Sequence, residues 1–245
     1  MYSESDIDAA VSAGVMPPQV ASDFRNHVAA ARATPAVDEE HFRLITGFND
    51  IFVSIALVLL LVALSELGSA IAAPLSGAFV AAAAWALAEF FTARRRMALP
   101  SILLLLAFVG GLASALFTMV PPASERAEAL FAAGIAAAAG AAAWLHWRRF
   151  KVPITVAAGA AAVAGLALAL VIAAIPAAER AIWPLLLIAG LAVFALAMRW
   201  DLSDRERTTR RADVAFWLHL AAAPMIAHPA FQMLGVFGAE IGTGT

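Results

Sequence analysis

Cysteine is absent from the 245 residues, and only 14% of them are charged. The first absence removes disulfides, thiolate nucleophiles and thiolate metal ligands, and it leaves the redox compartment undecided. The second, set against 63% hydrophobic residues, lies far outside the composition of water-soluble domains. Catalytic signatures are missing too: there is no phosphate-binding loop, no His-Glu-x-x-His helix, no nucleophile elbow and no dense basic surface for nucleic acid. The chain is therefore expected to be non-enzymatic, to hold no cofactor or metal, and to bind no nucleic acid. A basic start followed by an apolar stretch is also lacking in the first 43 residues, which carry acids and prolines instead. The first membrane helix is then expected to direct insertion by itself.

What is present is a series of long charge-free runs: 67–88 (22 residues), 97–124 (28), 129–147 (19), 152–178 (27), 181–198 (18) and 214–239 (26). Each can cross roughly 30 Å of hydrocarbon, which takes about 20 helical residues. A further run, 51–65, has 15 residues and reaches only about 22 Å at 1.5 Å per residue. That helix must draw in Leu44 to Asp50. Barrel strands would alternate in short segments, which these runs do not. The expected fold is an all-α polytopic transmembrane bundle of about seven helices, over 44–66, 70–92, 98–120, 127–147, 152–175, 181–200 and 213–236, with a short extracytoplasmic tail at 237–245. Pro74, Pro100, Pro153 and Pro184 are placed to open helices, and Pro121, Pro122 and Pro176 to close them. Pro224 and Pro229 fall inside a span.

Basic residues give the orientation. Of 16 Lys and Arg, 14 lie on one side of this pattern, and only Arg126 and Arg180 on the other. The positive-inside rule makes the crowded side, and with it the N-terminus, cytoplasmic. Trp144, Trp147, Trp200 and Trp217 fall near the same interface, where an amphipathic indole is stable. This bias, with no organellar presequence, points to a bacterial inner membrane.

Residues 1–43 read as a small cytoplasmic helical hairpin. Ser5 or Asp6 is placed to cap a first helix, and Gly14 with Pro17-Pro18 to end it and open a second. Ile7 and Val11 form one apolar stripe, and Val20, Phe24 and Val28 another. Such stripes are buried against each other, the membrane face or a protein partner.

Arg95-Arg96-Met97-Ala98-Leu99-Pro100 corresponds to Arg148-Arg149-Phe150-Lys151-Val152-Pro153 at an offset of 53 residues. A parallel duplication of helical hairpins and a convergent basic turn both account for this. The fourth and fifth spans are dominated by Ala and Gly, Ala132 to Ala143 and the stretches around Gly159 and Gly165. Small residues let membrane helices approach closely, so this pair is expected to make the tightest contact of the bundle.

Ionisable groups within spans are where function is sought first. Asn49 and Asp50 fall about one and a half turns into the first span, and Ser54 shares the Asp50 face at i+4. Glu89 lies near the end of the second span, Asp213 and His219 near the start of the seventh, and His146 at the end of the fourth, all at the same end of the bundle. If these converge between helices one, two and seven, they form an acidic, His-containing vestibule able to bind a cation or relay protons. Alternatively, Glu89 reaches Arg94 or Arg95, Asp213 stabilises a helix N-terminus, and His146 is merely interfacial. His219 and His228, nine residues apart, point to opposite faces of a straight helix and cannot share one metal. Two functions follow: a membrane scaffold or regulatory protein acting through the head, or a small-solute or ion carrier using the polar cluster.

The head reading Asp6-Ile7-Asp8-Ala9-Ala10-Val11-Ser12-Ala13-Gly14-Val15, the Pro17-Pro18-Gln19 turn, and the stretch from Phe42-Arg43-Leu44 to Gly47-Phe48-Asn49-Asp50 resemble uncharacterised bacterial multi-pass membrane proteins. These are classed as a domain of unknown function in which a short helix pair precedes the membrane helices. The resemblance covers about 50 residues and implies a membrane bundle, with no activity, cofactor or site residue attached. Such proteins often carry more than seven membrane helices.

Overall fold

The computed structural model describes residues 4–33, 48–119, 124–206 and 209–235. They form helices throughout, in two compact units, Met1–His41 and Phe42–Thr245.

The first unit is a hairpin of α1 (Glu4–Ser12) and α2 (Pro18–Ala33). Gly14, at φ +72°, takes the left-handed conformation that only glycine adopts at little cost. The amides of Val15 and Met16 then return to the Ala10 carbonyl at 3.0 and 3.1 Å. Arg25 donates to the Asp8 carboxylate at 2.7 Å, tying the two helices together, and Ala21 is buried. Ser5 and Asp6 lie within α1 rather than before it. The two stripes do not cover each other fully: Ile7 and Val11 are half-buried, whereas Val20 and Phe24 remain 50% and 44% exposed.

The second unit holds seven helices long and apolar enough to cross a membrane, the architecture of a multi-pass membrane protein. α3 (Phe48–Ile71) continues five residues past its expected end at 66, because nothing between Glu66 and Ile71 interrupts helical bonding. Residues 44–47 lie outside those described. The break falls at Ala72, whose φ of −164° and ψ of 144° are extended, and Pro74 sits in the first turn of α4 (Ala73–Ala88). α4 runs on into a π-helical segment, Glu89–Arg94, which the sequence pattern gave no reason to expect. α5 (Ala98–Phe117), α6 (Glu125–Phe150), α7 (Ile154–Ala174), α8 (Ile182–Leu202) and α9 (Arg211–Met233) complete the bundle. α6 is longer than expected at both ends: the Ser124 hydroxyl accepts from the Ala127 amide at 3.3 Å, and basic residues carry the last turn. Pro176, expected only to close a helix, opens a 3₁₀ segment, Pro176–Ala181. Pro121 and Pro122 lie outside the described residues. α9 continues through Pro224 and Pro229.

Two cores hold the bundle. Leu57 and Leu61 of α3, Ala84 and Ala88 of α4, and Leu104 of α5 form one, with Phe108 and Phe150 against it. Ala157 of α7, Val193 and Ala197 of α8, and Val214, Leu218 and Ala222 of α9 form the other, with Trp147, Trp200 and Trp217 against it. α6 supplies Phe150 to the first and Trp147 to the second, and so joins them. Large apolar side chains such as Leu59, Val62, Val163, Ile188 and Leu191 stay exposed. In water such a surface is an aggregation hazard, whereas hydrocarbon accommodates it.

The tightest approach is not between the Ala-rich helices α6 and α7. A Cβ carbon at Gly111 of α5 would lie 2.8 Å from the Gly77 carbonyl oxygen and 2.9 Å from the Ala81 nitrogen of α4, inside contact distance. At Gly190 of α8 it would meet the Met225 backbone of α9 at 2.8 Å. At Gly159 and Gly165 of α7 the nearest atoms, Cβ of Ala143 and Ala136, are at 3.8 and 3.9 Å, which is ordinary packing. Alanine already sets the spacing of α6 and α7, so glycine there brings the backbones no closer. The two basic turns also differ: the left-handed residue is Arg96 (φ 54°) in one and Lys151 (φ 56°) in the other, and only the first follows a π-helical turn.

Candidate functional site

The ends of α4, α6 and α8 and the starts of α5, α7 and α9 carry the arginines, and define the basic end of the bundle. The six polar residues expected to matter lie toward this end but sort into different contacts. Asn49 is exposed in the first turn of α3. Asp50 is in that same first turn, rather than one and a half turns in, yet it is only 4% exposed. Ser54 is 6% exposed and continues the Asp50 face, which leads to Leu57 and Leu61 and so packs on α4 and α5. The Ser54 hydroxyl has no hydrogen-bond partner among the described residues, and neither has that of the buried Thr92 in the π-helical segment.

Glu89 reaches neither Arg94 nor Arg95. Its carboxylate accepts two bonds from Arg149 of α6, from Nε at 2.9 Å and Nη2 at 2.5 Å. This forked pairing is one that guanidinium geometry favours. The π-helical turn begins at Glu89, so the chain widens where this pair forms. Asp213 and His219 are half-buried on α9, and the His219 ring lies 5.2 Å from Phe194 of α8. α3 packs on α4 and α5, whereas α9 packs on α8 and α7. The six residues are thus divided between the two halves of the bundle. His228 meets Trp183 at 5.2 Å, well along α8 from the Phe194 that His219 meets.

Two cavities lie elsewhere. One, of about 550 Å³, is an apolar groove between α7 and α8 lined by residues such as Val163, Ala167 and Ile188. The other, of about 540 Å³, sits at the end opposite the basic turns, between α6, α7 and the 3₁₀ segment, with Glu125, Arg126, Glu128 and Glu179 on its lining. None of the six residues lines either cavity. No group of three His, Asp or Glu able to hold a metal occurs among the described residues.

The residue whose burial the sequence did not reveal is His146. It is not interfacial: its exposure is 0%. Its ring centroid lies 4.6 Å from that of Phe150, and 6.2 Å from both Trp85 of α4 and Phe108 of α5. Trp85 in turn meets Phe108 at 5.0 Å and Phe150 at 5.2 Å, which closes an aromatic box. Nδ1 is 3.3 Å from the hydroxyl of Thr155 on α7, itself 1% exposed, and Nε2 has no partner among the described residues. A buried polar atom left without a bond costs about 1–3 kcal/mol, and such atoms concentrate where structure serves something other than stability. Four helices meet at this imidazole. A usable signal was its spacing to Ala142 at i−4 and Phe150 at i+4, which puts it on an inward face.

Comparison with protein-family models, with curated proteins and with solved structures gave no match. The resemblance read from the head and from the approach to the first membrane helix therefore rests on sequence alone.

Proposed function

We propose that the chain is a non-enzymatic scaffold or regulatory protein of a bacterial inner membrane, with its N-terminus inside and a protein partner engaged through the head. The observation that carries this reading is the division of the polar candidates: α3 holds Asn49, Asp50 and Ser54, α9 holds Asp213 and His219, and neither of the two cavities found among the described residues is lined by any of them. A carrier needs a polar cavity shared by such groups. The head supports the same reading, since it is a compact unit of its own that leaves Val15, Val20 and Phe24 exposed. The 14 basic residues gathered on one side support the orientation.

Thermal unfolding in nanodiscs, run at fixed pH against a panel of ions and small solutes, tests it. A ligand at a hundred times its Kd raises stability by about 2.7 kcal/mol. The scaffold reading expects no such rise, and expects removal of residues 1–41 to leave bundle stability unchanged while a partner is lost. A rise that disappears in Asp50→Asn would instead make the protein a carrier.

A further inference from the structure

We propose that His146 is a proton-binding site whose protonation draws Glu89 away from Arg149. A neutral imidazole is served at Nδ1 by the Thr155 hydroxyl, which can donate or accept. A protonated ring carries N–H groups on both nitrogens, and the box offers Nε2 no oxygen: its other walls are Trp85, Phe108 and Phe150. A charge in such surroundings requires a paired counter-charge.

The titratable groups on the surrounding helices are few. α5 and α7 contain none. α6 has Arg148 and Arg149 at this end, followed by Lys151, and Glu125, Arg126 and Glu128 at the far end. α4 and its π-helical extension carry Glu89 and Arg94. Asp50 belongs to α3, which packs chiefly on α4 and α5. Glu89 lies one turn beyond Trp85, a wall of the box, and bonds Arg149, one turn beyond His146, so it is the carboxylate placed to answer a charged His146. Its present partner, Arg149, is three residues beyond His146 on the same face of α6, one turn nearer the end. The side chains of Arg149 and Glu89 are 52% and 38% exposed, so water weakens their attraction. An imidazolium inside the aromatic box has no such competitor. A proton from hydronium, which leaves as water, adds to the ring nitrogen that lacks one; the N–H at Nε2 then donates to the Glu89 carboxylate, and the Arg149 guanidinium is released to solvent.

The experiment is NMR of the full-length protein in nanodiscs, labelled at histidine Cε1 and arginine Nε and titrated from about pH 8 to about pH 4, a range wide enough to include histidine titration. The His146 and Arg149 signals are expected to move with one shared midpoint. In Glu89→Gln the His146 midpoint moves to lower pH, reflecting about tenfold weaker proton affinity, because an opposite charge favours the protonated ring. In His146→Gln the Arg149 signal loses that transition. An unchanged His146 midpoint in Glu89→Gln, or an Arg149 signal indifferent to the His146 transition, overturns the proposal. So does a His146 signal that fails to titrate while the protein stays folded. Should His146→Gln fail to fold, Glu89→Gln, which keeps the imidazole, decides alone.

Discussion

Replacing Gly77 by alanine should damage the bundle far more than the same change at Gly165, although Gly165 sits in the helix pair richest in small residues. A methyl at Gly77 would be driven into the Gly111 carbonyl oxygen and the Ala115 backbone, and these atoms cannot rotate away. A methyl at Gly165 meets the Ala136 Cβ at 3.9 Å, a normal contact. Overpacking costs about 1–3 kcal/mol, while exchanging Gly for Ala inside a helix recovers roughly 0.5–1 kcal/mol. With rigid backbone on the receiving side, the upper part of the first range applies, and Gly77→Ala should lose about 2 kcal/mol net. Gly165→Ala should be neutral or gain up to roughly 0.5 kcal/mol. Reversible unfolding in mixed micelles, with each variant beside the wild type, measures both. A Gly77→Ala protein within about 0.5 kcal/mol of wild type, or a Gly165→Ala loss of equal size, would refute the view that α4 and α5 touch backbone to backbone while α6 and α7 are spaced by alanine.

Further outcomes follow from single contacts. Arg96→Gly removes a side chain from a left-handed residue (φ 54°) and should stabilise by about 1 kcal/mol in the same assay. Asp204→Ala deprives the Thr209 amide and hydroxyl of the carboxylate oxygen they share at 3.0 and 2.6 Å, and should cost about 1–2 kcal/mol. Asp204→Asn, which keeps an acceptor, should cost less. Arg149→Gln breaks a half-exposed ion pair and should cost no more than about 1 kcal/mol, with a loss that shrinks at high salt; a larger, salt-independent loss would show that the pair is shielded from water. Phe24→Glu on the exposed face of α2 should leave the unfolding of the full chain within about 0.5 kcal/mol, while abolishing any partner binding through the head.

Much of this architecture is determined by composition and order alone. Hydrocarbon tolerates no unpaired backbone, so charge-free runs of this length must be helices, and their number and near-boundaries follow from counting residues between charges and prolines. Gly14 with Pro18 likewise makes the head a hairpin, since one permits a left-handed turn and the other opens a helix. Tertiary structure decided what sits against what. The π-helical turn at Glu89 and the partner of Glu89 on α6 depend on the neighbour each helix meets, and no local pattern specifies it. Asp50 and Ser54 share a face, as their spacing requires, but the helices beside that face are α4 and α5, and not α9. Small residues marked α6 and α7 as a close pair, yet closeness is set by the largest atom in the contact, which is a methyl there and a carbonyl between Gly77 and Gly111. His146 shows the same limit: its position near a helix end reads as interfacial, and only the meeting of α4, α5, α6 and α7 around it excludes water from the ring.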